Sequence, residues 1–121
     1  MTDTPDDRIY HLTTRTEWEE ARTSGPYRRS TRDRSFEQVG FVHCSLPDQL
    51  RGVAEMVYAD CHEDLVVLEL SLATLEESGL PVRLEDAGNG TLYPHVYAPL
   101  PCSLVREVWP YDEDDDSNLT R

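Results

Sequence analysis

The sequence contains no lysine, and this absence limits the chemistry that the chain can perform. All 11 basic residues are arginines, and they are outnumbered by 24 acidic residues, so that the formal net charge is −13. Lysine Schiff-base chemistry and the lysine of a phosphate-binding P-loop are therefore excluded. The acidic balance also argues against binding to duplex nucleic acid, because such proteins present a basic surface to the phosphates.

Cysteine and long apolar runs are also scarce. The 3 cysteines are an odd number without a CxxC pair, so neither a disulfide framework nor a zinc knuckle is indicated. No apolar run approaches the roughly 20 residues of a membrane-spanning helix, and the acidic N-terminus lacks the basic and apolar regions of a signal peptide. We therefore expect a cytoplasmic protein that does not contact a membrane.

Charge divides the 121-residue chain into a body and two acidic ends. Aspartates are concentrated in residues 1–7, and residues 112–116 are acidic without interruption. Dense charge of one sign keeps a segment solvated and opposes packing. We expect a flexible acidic N-terminus over 1–7, a single domain over 8–111, and an acidic, disordered tail over 112–121.

Two segments in the first half of the chain carry helix signals. Thr14 and Glu17 have the spacing of a capping box, which predicts a helix that begins there. A second capping pair, Ser45 and Asp48, precedes apolar residues at helical spacing and predicts a helix that ends near Cys61.

Short runs with the composition of β-strands make up most of the remaining chain. They are residues 9–12, 40–44, 65–70, 82–85, 95–97 and 104–109. The run 65–70 is the best candidate for a central strand. Residues 26–39 are predicted to be a polar, arginine-rich connection. The sequence thus predicts an α+β domain with about six short strands and two main helices.

Three of the four histidines stand in strand-like runs, each followed by a turn, a cap or a proline. Side chains at strand ends emerge from a rigid scaffold, so we expect His11, His43 and His95 to meet at one cleft. Two alternatives stay open. Each histidine can be a hydrogen-bonded residue of the interior or rim, or the three can bind a catalytic zinc ion with water as fourth ligand.

Other candidate residues carry a carboxylate, an aromatic ring or a hydroxyl. Glu85 precedes a glycine-rich turn, so it can face the cleft. The alternative is that Glu85 and Asp86 cap that turn or pair with Arg83. Tyr10 and Tyr97 lie close to two of the histidines, where they can stack on a ligand or pack in the core. Ser45 is a candidate ligand-binding residue and also a candidate helix N-cap.

The segment 28–34 has the densest positive charge in the chain. Arginine forks match phosphate oxygens, so Arg28 and Arg29 are candidates for binding a phosphorylated ligand. The alternative is an ordinary solvated loop.

Four ordered motifs resemble a small bacterial family known as domain of unknown function 952. They are IYHLTT at 9–14, GFVHCS at 40–45, RLEDAG at 83–88 and PHVY at 94–97. The resemblance covers nearly the whole chain except its ends. The fold of that family is similar to that of the ADP-ribosyltransferases, which use NAD. The resemblance therefore implies a split antiparallel or mixed sheet with two main helices and NAD as a substrate.

The resemblance also implies roles for individual residues. It places His11 at the ribose on the adenosine side of NAD and His43 at the nicotinamide. The late strand of ADP-ribosyltransferases supplies a catalytic glutamate, whereas the matching run 94–97 has His95 and no glutamate. An ionised carboxylate stabilises the positive charge that builds on the sugar during the reaction. Glu85 can supply this carboxylate only if its strand lies beside the strand that carries His95.

The sequence therefore predicts a nucleotide-binding cleft that acts at a ribosyl or phosphoribosyl centre. The expected catalytic residues are His43, Glu85 and His95. The expected ligand-binding residues are Tyr10, His11, Arg28, Arg29, Ser45 and Tyr97. NAD is expected as a substrate, and no bound metal is expected. The alternatives are a non-catalytic nucleotide-binding module and a zinc hydrolase that uses the three histidines.

Overall fold

The computed structural model describes residues 7–32, 34–86, 88 and 90–111. Residues 1–6 of the predicted N-terminal extension and the predicted tail at 112–121 therefore lie outside it. The described residues form four α-helices, two three-stranded sheets and a two-stranded hairpin. The predicted α+β class with a split antiparallel sheet is confirmed. Every strand pair in the described part is antiparallel, so the mixed arrangement is not observed.

The first sheet is built around the strand that the sequence marks as central. It contains β1 (Arg8–Thr14), β5 (Leu65–Ser71) and β8 (Glu107–Pro110), in the order β1-β5-β8. Strand β5 is rich in valine and leucine because both of its faces are buried.

The second sheet has one apolar face and one polar, aromatic face. It contains β4 (Val42–His43), β6 (Val82–Asp86) and β7 (Leu92–Val96), with β7 in the centre. Val42 and Val96 are paired and belong to the core, whereas the neighbouring pair, His43 and His95, points to the opposite face. This alternation gathers the chemically active side chains of three strands on one surface.

The segment after β4 joins the two sheets, and it corrects one prediction. The backbone N–H of Ser45 donates to the carbonyl of Tyr10 at 2.7 Å, and the N–H of Tyr10 donates to the carbonyl of Ser45 at 2.8 Å. The backbone of Ser45 therefore takes part in strand pairing. The predicted capping pair of Ser45 with Asp48 is wrong, because Ser45 is not the N-cap. A 3₁₀ turn over Pro47–Gln49 follows with Leu46 as its N-cap, and α3 (Leu50–Val57) begins after it.

The other helices are fixed by capping groups. Helix α1 (Arg15–Ser24) begins as predicted, because the Thr14 hydroxyl accepts a hydrogen bond from the N–H of Glu17. At α4 (Leu72–Glu77), the Asp7 carboxylate accepts hydrogen bonds from the Ser71 hydroxyl and the Ala73 N–H. These contacts attach Asp7 to the domain rather than to a flexible extension. In the described ranges, no helix has both the length and the apolar character needed to cross a membrane.

The arginine-rich connection predicted over 26–39 contains regular secondary structure. It contains the hairpin β2 (Arg29–Thr31) and β3 (Arg34–Ser35), followed by α2 (Phe36–Val39). Strands of two or three residues are too short to show a hydrophobic period, which is why the sequence does not predict them. The hairpin is held to the domain by a backbone bridge between Tyr27 and Leu100.

The apolar core consists of two clusters on opposite faces of the first sheet. One lies under α1 and between the sheets, and it contains Leu68 and Trp18. The other lies under α3, where the Tyr10 and Trp109 rings meet edge to face with centroids 5.5 Å apart. Tyr10 therefore packs in the core, which is one of the two roles that the sequence allows.

The central strand should dominate stability. Leu68→Ala leaves a cavity between the sheets, and we expect it to lower the free energy of unfolding by about 2–5 kcal/mol. Leu92→Ala, at a side chain that is 52% exposed, should change the free energy by less than about 0.5 kcal/mol. Urea unfolding followed by circular dichroism measures both. Equal effects of the two substitutions would contradict the described core.

Candidate functional site

A cavity of about 500 Å³ opens on the polar face of the second sheet. Its wall combines that sheet with the hairpin and the end of α2. The lining residues are Ser30, Thr31, Val39, Phe41, His43, Glu85, Asp86 and His95. The predicted catalytic residues His43, Glu85 and His95 are thus brought together at one concave surface.

The Glu85 carboxylate is a shared hydrogen-bond acceptor at this cavity. Its Oε1 atom accepts from Nδ1 of His95 at 2.9 Å and from the hydroxyl of Tyr97. Because β6 pairs with β7, Glu85 lies beside the strand that carries His95, as its predicted role requires. The Tyr97 hydroxyl and, second, the His95 ring lower the pKa of Glu85 from its usual value. The carboxylate is therefore ionised at neutral pH.

The His95 ring is held on two sides. It is buried, its Nδ1 donates to Glu85, and it stacks on Phe41 with centroids 4.0 Å apart and planes 13° apart. A neutral imidazole that donates through Nδ1 accepts through Nε2. Within the part of the chain that the structure describes, Nε2 has no hydrogen-bond partner. His95 can therefore accept a proton at Nε2 while Glu85 stabilises the resulting imidazolium.

The His43 side chain is a neutral part of the cavity lining. Its ring lies 5.2 Å from that of His95 and 5.1 Å from that of Tyr93, measured between centroids. Burial and, to a lesser degree, the adjacent His95 lower the pKa of His43 to about 4. At neutral pH this side chain therefore offers hydrogen bonds without a positive charge.

His11 does not reach the cavity, which corrects the prediction that the three imidazoles meet there. Its Nδ1 donates to the backbone carbonyl of His43 at 2.6 Å, and its Nε2 accepts from the Tyr27 hydroxyl at 2.7 Å. Since a carbonyl can only accept, these partners fix the tautomer. Burial lowers the pKa of His11 to about 4. The residue joins β1 to β4 and positions His43 from behind.

The hydrogen bonds of His11 also argue against the alternative of a zinc site formed by three histidines. Both ring nitrogens of His11 are used in hydrogen bonds, so neither can coordinate a metal in this arrangement. Among the described residues, no group of three or more histidine, cysteine, aspartate or glutamate side chains has metal-binding geometry.

The remaining predicted ligand-binding residues lie elsewhere, except Tyr97. Tyr10 and Ser45 are buried and paired with each other away from the cavity. Arg28 pairs with Glu37 at 2.6 Å, and Arg29 lies 3.4 Å from Glu17. Both arginines line a separate cavity of about 200 Å³ beside Tyr27. The larger cavity has no arginine among its described lining residues.

Several lining residues are not predicted from the sequence. Phe41 could have been found, because it stands two positions before His43 and therefore points to the same face of a strand. Ser30 and Thr31 lie in the short hairpin, and they carry no pattern that predicts a cavity wall.

The buried neutral His11 makes stability depend on pH. The unfolded chain binds a proton near pH 6.5, whereas folded His11 binds it near pH 4, so stability falls as the pH decreases through this window. We expect a loss of roughly 2 kcal/mol between pH 7 and pH 5 from this residue. Urea unfolding at both pH values measures the loss.

The matched variants separate His11 from the other titrating groups. His11→Gln should be less stable at pH 7 and show a smaller loss between pH 7 and pH 5. Met56→Gln, at an exposed side chain that does not titrate, should keep the pH dependence of the wild type. An unchanged pH dependence in His11→Gln would show that His11 is not held neutral by the fold.

Comparison with known proteins identifies relatives but no activity. The X-ray crystal structure of protein CC0527 from Caulobacter crescentus is similar, with 27% identity, a TM-score of 0.67, and coverage of 87% of this chain and 86% of that chain. The structure of a double methionine variant of CC0527 gives 28% identity and the same TM-score of 0.67 over the same shares of 87% and 86%. No curated protein matches the sequence.

The family comparison covers both sheets and the cavity. The model of DUF952, described as a protein of unknown function, matches residues 12–108. This range includes every lining residue of the larger cavity. The chain therefore belongs to the DUF952 family of proteins of unknown function.

Proposed function

We propose that the cavity binds the ribosyl part of a nucleotide such as NAD and that the protein catalyses transfer at the ribosyl carbon. One observation carries the proposal: the ionised Glu85 carboxylate is fixed beside His95 at the wall of the cavity. The ADP-ribosyltransferase-like fold implied by the sequence motifs is part of the same proposal. The split antiparallel sheets and the position of the cavity support it.

Glu85 is suited to stabilise positive charge on a sugar. The two hydrogen bonds that Glu85 accepts both end at Oε1, and among the described residues no donor is bonded to Oε2. Oε2 is therefore available to the ligand. When the bond between C1′ and the nicotinamide nitrogen breaks, its electron pair leaves with the nicotinamide, and positive charge develops on the ribose. A carboxylate that is already oriented stabilises this charge without reorganisation.

His95 is suited to carry the proton of the attacking group. As the oxygen of water or of another hydroxyl bonds to C1′, its proton passes to Nε2 of His95. Glu85, hydrogen-bonded at Nδ1, stabilises the imidazolium that forms. Glu85 thus replaces the glutamate that ADP-ribosyltransferases carry in their late strand, but from the neighbouring strand β6.

A second candidate function is binding without catalysis, and one observation favours it. The Nε2 atom of His95 has almost no exposed surface in this conformation, so a substrate reaches it only after a side chain of the wall moves. A non-catalytic module would bind the nucleotide and leave it intact.

Glu85→Gln tests the proposed chemistry. The substitution keeps the shape and removes the negative charge, so we expect the rate of nicotinamide release from NAD to fall by about 10²–10³. Affinity for NAD, measured by isothermal titration calorimetry, should change much less. Glu55→Gln, at an exposed glutamate of α3, is the matched control and should leave both values unchanged.

The two assays together decide between the candidate functions. Saturable binding of NAD or ADP-ribose with no released nicotinamide would support the binding module and contradict catalysis. Absence of binding heat at millimolar NAD and ADP-ribose, with folded wild-type protein, would contradict both.

A further inference from the structure

We propose that Ser30 Oγ and His95 Nε2 together receive a hydroxyl group of the ligand and make the cavity selective for a sugar over a phosphate. The inference rests on the proposed function and names the part of the substrate that enters. Ser30 is then a specificity-determining residue that neither the sequence nor the catalytic scheme assigns.

Two buried polar atoms in the wall of the cavity lack hydrogen-bond partners among the residues that the structure describes. Ser30 is 1% exposed and His95 is 3% exposed, and both line the cavity. Across the described ranges, neither Oγ of Ser30 nor Nε2 of His95 has a hydrogen-bond partner. Buried polar atoms are nearly always paired, because leaving one unpaired costs free energy. Two such atoms in one cavity wall therefore indicate that a bound group completes the site.

The donor and acceptor properties of the two atoms define that group. His95 donates to Glu85 through Nδ1, so Nε2 of the neutral ring accepts and requires a donor from the ligand. The Ser30 hydroxyl can donate or accept. A ligand hydroxyl satisfies both atoms, because it donates to Nε2 and accepts from Oγ. In the proposed reaction this hydroxyl passes its proton to Nε2 and takes up the proton of the attacking group, so His95 still receives the proton. A carboxylate, or the pyrophosphate bridge of a dinucleotide, is fully deprotonated at neutral pH and has no proton to donate to Nε2.

The charge of the cavity also favours a sugar over a phosphate. Its lining includes the carboxylates of Glu85 and Asp86, and it includes no arginine among the described residues. The guanidinium beside this wall is that of Arg83, which lies over the Tyr97 ring, 5.6 Å from its centroid. A phosphate inside the wall would meet two carboxylates, which one arginine offsets only in part. An uncharged sugar, or the cationic nicotinamide ring attached to it, would not be repelled.

Ser30 is the side chain that can admit the ligand most simply. The His95 ring is fixed by Glu85 and by its stacking on Phe41. Rotation of Ser30 about its Cα–Cβ bond changes the direction of Oγ and leaves the backbone of β2 in place. The hydroxyl site therefore forms without rearrangement of the sheet.

The test compares three ligands by isothermal titration calorimetry: NAD, nicotinamide riboside and inorganic pyrophosphate. For the wild type, we expect NAD and nicotinamide riboside to bind with similar affinity, because both present the same sugar. Pyrophosphate should not compete with nicotinamide riboside. Ser30→Ala should lower the affinity for NAD and for nicotinamide riboside by about three- to tenfold, as expected for the loss of one hydrogen bond.

Control variants and deoxy ligands separate this role from a structural one. Ser45→Ala, at a buried serine outside the cavity, should leave binding unchanged. Removal of the recognised ribose hydroxyl, tested with the 2′- and 3′-deoxy forms of nicotinamide riboside, should weaken binding to the wild type more than it weakens binding to Ser30→Ala, because only the hydrogen bond to His95 remains to be lost in that variant. If Ser30→Ala does not fold, Ser30→Cys provides the same comparison with a weak donor.

The outcomes distinguish this inference from the function on which it rests. If NAD binds but Ser30→Ala binds it as tightly as the wild type, the hydroxyl site is wrong and the proposed function stands. Effective competition by pyrophosphate would likewise overturn the selectivity. If neither NAD nor nicotinamide riboside binds to the wild type, the proposed function fails and the inference fails with it.

Discussion

The hydrogen bonds that Glu85 accepts from His95 and Tyr97 are the interaction on which the candidate site depends. They join neighbouring strands of the second sheet through side chains, and they fix both the orientation and the tautomer of His95. Without Glu85, both ring nitrogens of His95 would lack a partner among the described residues, at a considerable cost in free energy. The same two donors keep the carboxylate ionised, so the geometry of the sheet determines the charge of the cavity.

The histidines of the strands divide into different physical roles. Both ring nitrogens of His11 make hydrogen bonds that connect the two sheets, and burial keeps the ring neutral. His43 is also neutral, but it faces the cavity, where it lies between the rings of Tyr93 and His95. His95 alone combines a carboxylate partner with an unpartnered nitrogen among the residues described. One residue type therefore supplies a structural link, a neutral wall and a group able to accept a proton.

Patterns with local causes could be predicted from the sequence. The central strand near 65–70 follows from its apolar composition, and α1 follows from the Thr14 cap. The meeting of Glu85 with His95 could be stated as a condition, but it depends on which strands pair. The hairpin after Tyr27 and the burial of His11 depend on contacts between distant segments, and those contacts leave no periodic signal in the sequence.

The most direct test of this account is the titration of the Glu85 carboxyl group, followed by carbon-13 NMR in the wild type and in Tyr97→Phe. We predict a pKa below the usual value for glutamate in the wild type and a higher pKa in Tyr97→Phe, because the variant lacks the hydroxyl that lowers it most. Tyr93→Phe, at a ring outside the hydrogen bonds to Glu85, is the control. A glutamate of ordinary pKa that is insensitive to Tyr97→Phe would contradict the shared-acceptor site.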